Sequence, residues 1–156
     1  MAEEVTPKLP KETKQEFIFA IGRRREAVAR VRLYIGKESV AWGEVVAKKG
    51  EILVNGKTAK DYFRTSLAET IYLEPLRVTN ALNRSIVTIR VVGGGPNGQL
   101  EAAVHGISRA LSLFDVKLNR PILKKRGFLT RDARVRERRK AGMGGKARRK
   151  RQSPKR

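Results

Sequence analysis

Residues 22–32, GRRREAVARVR, hold five arginines, Arg23, Arg24, Arg25, Arg30 and Arg32, against a single acid, Glu26. A guanidinium is planar, always charged and presents its N–H donors as a fork, which suits phosphate better than solubility alone requires. Arg30 and Arg32 are two residues apart, so on a strand they share one face. A second basic cluster closes the chain. KKRGFLTRDARVRERRK (124–140) supplies Lys124, Lys125, Arg126, Arg131, Arg134, Arg138, Arg139 and Lys140. The tail GGKARRKRQSPKR adds Lys146, Arg148, Arg149, Lys150, Arg151, Lys155 and Arg156, seven basic residues in thirteen with no acid and no large apolar side chain. With nothing to bury, such a tail cannot offset the roughly 1–2 kcal/mol per residue of backbone entropy lost on ordering. Its expected ordering partner is a polyanion. Engaging ~10 phosphates gives a log–log salt slope near −9 on duplex DNA or about −7 on single strands. Binding of that kind reads shape, which suits folded RNA better than uniform duplex DNA.

Other chemistries find little support. There is one histidine and no cysteine, so thiolate metal sites and a disulfide framework are absent. His105 falls in the helical row Glu101, His105, Arg109, away from the apolar stripe, and reads as a solvated or RNA-facing residue. No carboxylate cluster or activated nucleophile stands out, so no enzyme, cofactor or metal is expected. GGGPNG (93–98) satisfies G-x-G-x-x-G after a strand, but no second strand ending in an acid follows it. Gly93, Gly94, Gly95 and Gly98 therefore read as a turn before a helix, whose N–H groups can meet phosphate. NGKT (55–58) imitates the end of a P-loop, but Glu51 stands where the first glycine is required. The basic arm carries too little apolar area, chiefly Phe128, Leu129 and Val135, to lie on a membrane.

The charge is uneven. Residues 1–116 hold 18 basic and 13 acidic residues, and residues 117–156 hold 18 basic and 2 acidic. The expected organisation is a disordered leader (1–16), a mildly basic α/β body (17–116) and a basic C-terminal arm (117–156). The leader lacks the apolar centre of a secretory signal, and its four glutamates argue against a mitochondrial presequence. A cytoplasmic protein is the expectation. Within the body, FIFAIG (17–22), AVARVRLYI (27–35), ILVNGK (52–57, ending in an Asn-Gly turn) and SIVTIRVV (85–92) read as strands. KESVAWGEVVAKKG (37–50) is an excursion with room for a strand of its own. TSLAETIYLEPLRV (65–78) reads as a helix that Pro75 should break near Glu74. QLEAAVHGISRALSLF (99–114) carries a stripe of Leu100, Ala103, Val104, Ile107, Leu111 and Phe114 at the helical period. In the arm, Thr130 offers a cap for one or two helical turns, and Pro121 should break the segment before it. The predicted fold is α+β: a two-layer α/β sandwich, a four-stranded sheet with helices on one face, plus a long basic extension.

Four ordered blocks, GRRREAVARVRL, VVGGGPNGQLEAAVHGISRAL, GFLTRDARVRERRKAG and the terminal KR, resemble small-subunit ribosomal protein nine, the universal S-nine family, in its bacterial type. The resemblance covers residues 17–156. It implies a body seated on ribosomal RNA in the head of the small subunit, beside neighbouring head proteins. It further implies an arm reaching the peptidyl site, where Lys155 and Arg156 approach tRNA. Arg109 and His105 match the family's H-G-I-x-R-A-L segment, and the glycine loop matches a structural or RNA-contacting element. Two departures stand out: the tip reads Gln152-Ser153-Pro154 where bacterial members carry Q-aromatic-S, and the 37–50 excursion is longer. The alternative reading, from charge alone, is a non-ribosomal RNA chaperone or nucleic-acid-compacting protein.

Overall fold

In the computed structural model, which describes residues 17–43 and 45–138, the alternating residues after Phe17 form β1 (Ile18–Arg24) and β2 (Ala27–Ile35). They pair antiparallel across a two-residue loop, with Arg25 in the left-handed region at φ 51°. On β2, Ala29, Val31 and Leu33 are buried while Arg30 and Arg32 stay exposed, the division that period two requires. The KESVAWGEVVAKKG excursion is a hairpin of β3 (Ser39–Trp42) and β4 (Val45–Lys48). β5 (Ile52–Val54) turns back through Asn55 (φ 49°) and Gly56 (φ 78°) into the short β6 (Lys57–Thr58). Two consecutive positive φ values are what an Asn-Gly hairpin turn supplies. Helices α1 (Ala59–Phe63) and α2 (Ser66–Val78) then carry the chain over to β7 (Ser85–Val92). β7 lies antiparallel to β2 and parallel to β5, giving the order β1-β2-β7-β5-β6.

The main core lies between this sheet and one layer of helices. Val31, Val87, Ile89 and Val54 meet Ala103, Ile107 and Leu111 of α3 (Pro96–Phe114), with Tyr72 and Leu76 of α2 alongside. Helix α3 approaches β1 at backbone distance: a Cβ on Gly22 would lie 1.9 Å from the Ala102 carbonyl oxygen, and one on Gly106 2.5 Å from Val31 Cγ2. The opposite sheet face is covered at one end only. There Tyr34, Ala47, Leu53 and Ile86 form a second small cluster beneath the hairpin, flanked by Phe17, Val40, Trp42 and Val45.

The two-layer α+β reading holds, with corrections. The sheet has five strands rather than four, and β3–β4 is a separate two-stranded sheet. Pro75 does not break α2, which continues to Val78 with Pro75 fully buried. The missing hydrogen bond costs less there than exposing the Tyr72–Leu76 face that packs on α3. Likewise Pro121 sits inside a helix, α4 (Val116–Lys125), capped by Asp115, whose carboxylate accepts from the Leu118 N–H at 2.9 Å. Leu123 of α4 is completely buried, so the basic segment begins packed on the body. The turns expected after Thr130 do not form; Arg131–Arg138 has no regular secondary structure. Phe114, placed on the core stripe, is 52% exposed at the end of α3. Among the described residues no helix is long and apolar enough to cross a membrane. The leader lies outside the described residues.

Candidate nucleic-acid interface

The three consecutive arginines after Gly22 part company because a strand and a turn send them to different places. Arg23 is exposed on β1. Arg25, at the left-handed loop position, is exposed and lines a cleft with Gly94, Gly95, Gly98, Val135 and Arg136. Arg24 points inward and is only 7% exposed. Its Nε pairs with Glu101 of α3, its Nη1 donates to the Arg134 carbonyl at 2.8 Å, and its Nη2 meets Asp132 Oδ2 at 2.8 Å. Arg24, expected as an RNA contact, thus has its guanidinium turned inward, joining residues 132–134 to the body. Asp132 is held well below the usual carboxylate range, first by the Arg134 side-chain hydrogen bond and then by the Arg134 backbone N–H. The join therefore stays charged at neutral pH. Arg24→Leu is expected to destabilise by about 2–3 kcal/mol, short of the 3–5 typical of fully buried pairs because Glu101 is half exposed. Urea unfolding reads that loss, and trypsin should cut within 131–138 faster. Unchanged stability and cleavage would contradict the latch.

His105 lies beneath the same segment. It is half-buried, and its Nδ1 accepts from the Arg23 backbone N–H at 3.3 Å, which requires that nitrogen to be unprotonated. It lines a concavity of about 150 Å³ with Val104, Phe128, Thr130 and Arg131, so of the two expected places for His105, solvated or RNA-facing, the fully solvated one does not hold. Burial lowers its pKa below the ordinary 6.5, and the neighbouring Arg109 charge lowers it further. Because the unfolded chain then binds the proton more readily, stability is complete above the ordinary value and falls as pH drops from there toward the folded one. Thermal unfolding between neutral pH and pH ~5 should show that fall, and His105→Gln should flatten it. A pH profile identical in the variant would exclude His105 as its source.

The sheet carries the second basic surface. Arg30 and Arg32 are exposed on its outer face, Arg32 resting 4.9 Å over the Phe17 ring. Arg90 of β7, which sequence reading passed over, stands directly across from Arg30. The alternation of SIVTIRVV put Arg90 on the polar face; only the register revealed its neighbour. Arg109 is exposed and donates from Nη1 to the Ile21 carbonyl at 2.6 Å, while Arg126 pairs with Glu74 at 3.1 Å. Lys124, Lys125, Arg131, Arg134 and Arg138 are all exposed, although Arg134 is ion-paired to Asp132. Arg139, Lys140, Lys146, Arg148, Arg149, Lys150, Arg151, Lys155 and Arg156 lie outside the described residues.

The glycine loop has a packing reason. Gly93 and Gly94 take φ of 77° and 64°, and a Cβ on Gly93 would lie 2.6 Å from the Glu26 carbonyl oxygen. The loop is thus pressed onto the β1–β2 turn, and Gly98 already belongs to the first turn of α3. Gln99 ties it further, its Nε2 donating to the Gly93 carbonyl at 3.0 Å while its Oε1 accepts from Tyr62 at 2.7 Å. Among the described residues no three His, Cys, Asp or Glu side chains group as metal ligands.

Exposed arginines lie on two sides of one body, and the sequence that follows is rich in Lys and Arg, a charge pattern that suits a polyanion. Comparison with known proteins decides which kind: residues 22–156 match the model of the family described as ribosomal protein S9/S16. The chain belongs to that family. It is 45% identical over 124 residues to the small ribosomal subunit protein uS9 of Leifsonia xyli subsp. xyli, covering 80% of this chain and 67% of that one. The uS9 of Desulfovibrio desulfuricans is 43% identical, with 83% and 89% of the two chains covered. That of Maridesulfovibrio salexigens is 45% identical, with 84% and 91% covered. Ribosomal S9/S16 proteins are structural and not catalytic, and the resemblance carried by the four sequence blocks is borne out at this level. The match runs to Arg156, so the basic tail is part of the family pattern.

Proposed function

We propose that this S9/S16 protein is a structural constituent of the small ribosomal subunit in the cytoplasm and binds ribosomal RNA in the head. In this reading its C-terminal Lys155 and Arg156 contact the phosphates of peptidyl-site tRNA. The family match through the last residue carries the reading, and the exposed arginines supply its chemistry. Arg23, Arg25, Arg30, Arg32 and Arg109 serve the body's contact with RNA, with Arg24 aiming the arm rather than touching the ligand. Residues 117–156 act as the arm, rooted through α4 and the Arg24–Asp132 join. Leu118 and Ile122, exposed on α4, and Phe114, exposed at the end of α3, offer apolar surface to neighbouring head proteins.

Phosphate contacts by two terminal cations position a helix without reading its sequence. Deleting residues 153–156 should leave incorporation into small subunits intact and speed tRNA dissociation from the peptidyl site several-fold, as loss of about two phosphate contacts implies. Filter binding of tRNA to purified small subunits measures it. Equal dissociation rates from intact and shortened particles would remove the tRNA part of the proposal.

A further inference from the structure

We propose that the outer sheet face between Phe19 and Trp42 is a groove for unpaired RNA, with a base stacked on Trp42 and a phosphate held by Arg30 and Arg90. This rests on the RNA-binding reading above and specifies which face takes RNA and in what form. Arg30 and Arg90 are direct cross-strand partners, and Arg32 follows two residues along the same face. Like charges set opposite one another destabilise a sheet, and no carboxylate lines the concavity of about 140 Å³ that the three arginines share with Phe19, Trp42 and Thr88. Among the described residues, no ion pair joins Arg30 or Arg90 to an acid. An anion is what this face lacks.

The aromatic component says which anion. Trp42 sits at the end of β3, half-buried, and forms a wall of this concavity and of a larger one of about 660 Å³ toward Asn55, Gly56 and Val92. Arg90 also lines both, so one indole and one guanidinium connect two adjacent hollows. Phe19 is 46% exposed at one side and Val92 61% exposed at the other. Duplex RNA offers mainly phosphates and 2′-hydroxyls to a protein, whereas splayed bases stack on aromatic rings and arginine planes. A path of ring, guanidinium and apolar edge matches the second. The hairpin that brings Trp42 over the sheet is the long 37–50 excursion, which gives that departure a use.

Trp42 is the only tryptophan, so its emission reports on this groove wherever else RNA binds. The full-length chain is titrated with an end-labelled single-stranded oligonucleotide of about ten residues and with a duplex RNA of equal length. Label anisotropy should rise with both, because the arm binds each. Trp42 emission should be quenched by the single strand alone. Arg90→Gln and Arg30→Gln should each weaken single-strand binding about 5-fold or more while leaving duplex binding within about 2-fold. Trp42→Leu, which keeps apolar packing beneath the hairpin, should weaken it about 5- to 150-fold, and Trp42→Phe less. RNA bound with Trp42 emission unchanged, or quenched equally by duplex, would overturn the groove while leaving RNA binding standing. Absence of any anisotropy change would instead remove the RNA-binding reading and the groove with it.

Discussion

Gly22→Ala is expected to cost at least about 3 kcal/mol, a large share of the roughly 5–15 that holds a domain of this size. The added methyl carbon would stand 1.9 Å from the Ala102 carbonyl oxygen and 2.3 Å from the Gly106 nitrogen. Both are backbone atoms of α3, so no rotamer change relieves the overlap. The helix must move off β1, opening the tightest part of the core. In thermal unfolding the midpoint should fall by roughly 10 °C or more. Gly106→Ala is the instructive partner. Its nearest obstacle is the Val31 Cγ2 methyl at 2.5 Å, a side-chain atom. Pairing it with Val31→Ala should therefore recover part of its loss, whereas Val31→Ala should not rescue Gly22→Ala. Equal rescue of both would mean that the helix–strand approach is not the source. The site depends on this approach, because Glu101 and His105, which receive Arg24 and the Arg23 N–H, are carried by the same helix.

Removing residues 139–156 should have the largest effect on RNA. That segment holds nine Lys and Arg and no acid. If each meets one phosphate of a single strand, its loss lowers the magnitude of the log–log salt slope by about 6 and weakens binding at physiological salt by at least ~10³-fold. The unfolding midpoint should hardly change, since the packed part of the basic segment, α4 through Asp132, remains. Binding measured over a range of salt separates the two contributions. A slope that survived the deletion would place the main electrostatic contact on the body instead.

Much of the body could be read from alternation, and the misses have physical causes. β2 alternates polar and apolar residues along most of its length, so period two located it and its core face. β7, by contrast, is buried on both faces from Ser85 to Ile89, and only its end, Arg90 to Val92, alternates. The Asn55-Gly56 turn was readable because few other dipeptides tolerate two positive φ values. Pro75 and Pro121 misled because local propensity yields to burial: one is enclosed in the core, and the other precedes Leu123, which is. Arg23, Arg24 and Arg25 are chemically identical in sequence, and only the strand's pleat and the left-handed turn assign one to the interior and two to solvent. Arg90 and Trp42 were missed for a related reason. Arg90 matters because it faces Arg30 across the sheet, sixty residues away, and Trp42 because the β3–β4 hairpin brings it to the same concavity; neither relation leaves a local signal. The family blocks, by contrast, are a property of order along the chain, which a sequence displays in full.

The central claim is residence in the small ribosomal subunit through ribosomal RNA. An N-terminally tagged chain, expressed in its native cells, is followed through a sucrose gradient at moderate salt. The account predicts co-sedimentation with small subunits and whole ribosomes at about one copy per particle, resistant to a salt wash that strips loosely held cationic proteins. Spread across free RNA and DNA, with release at the same wash, would contradict it and leave a nucleic-acid compactor as the better description.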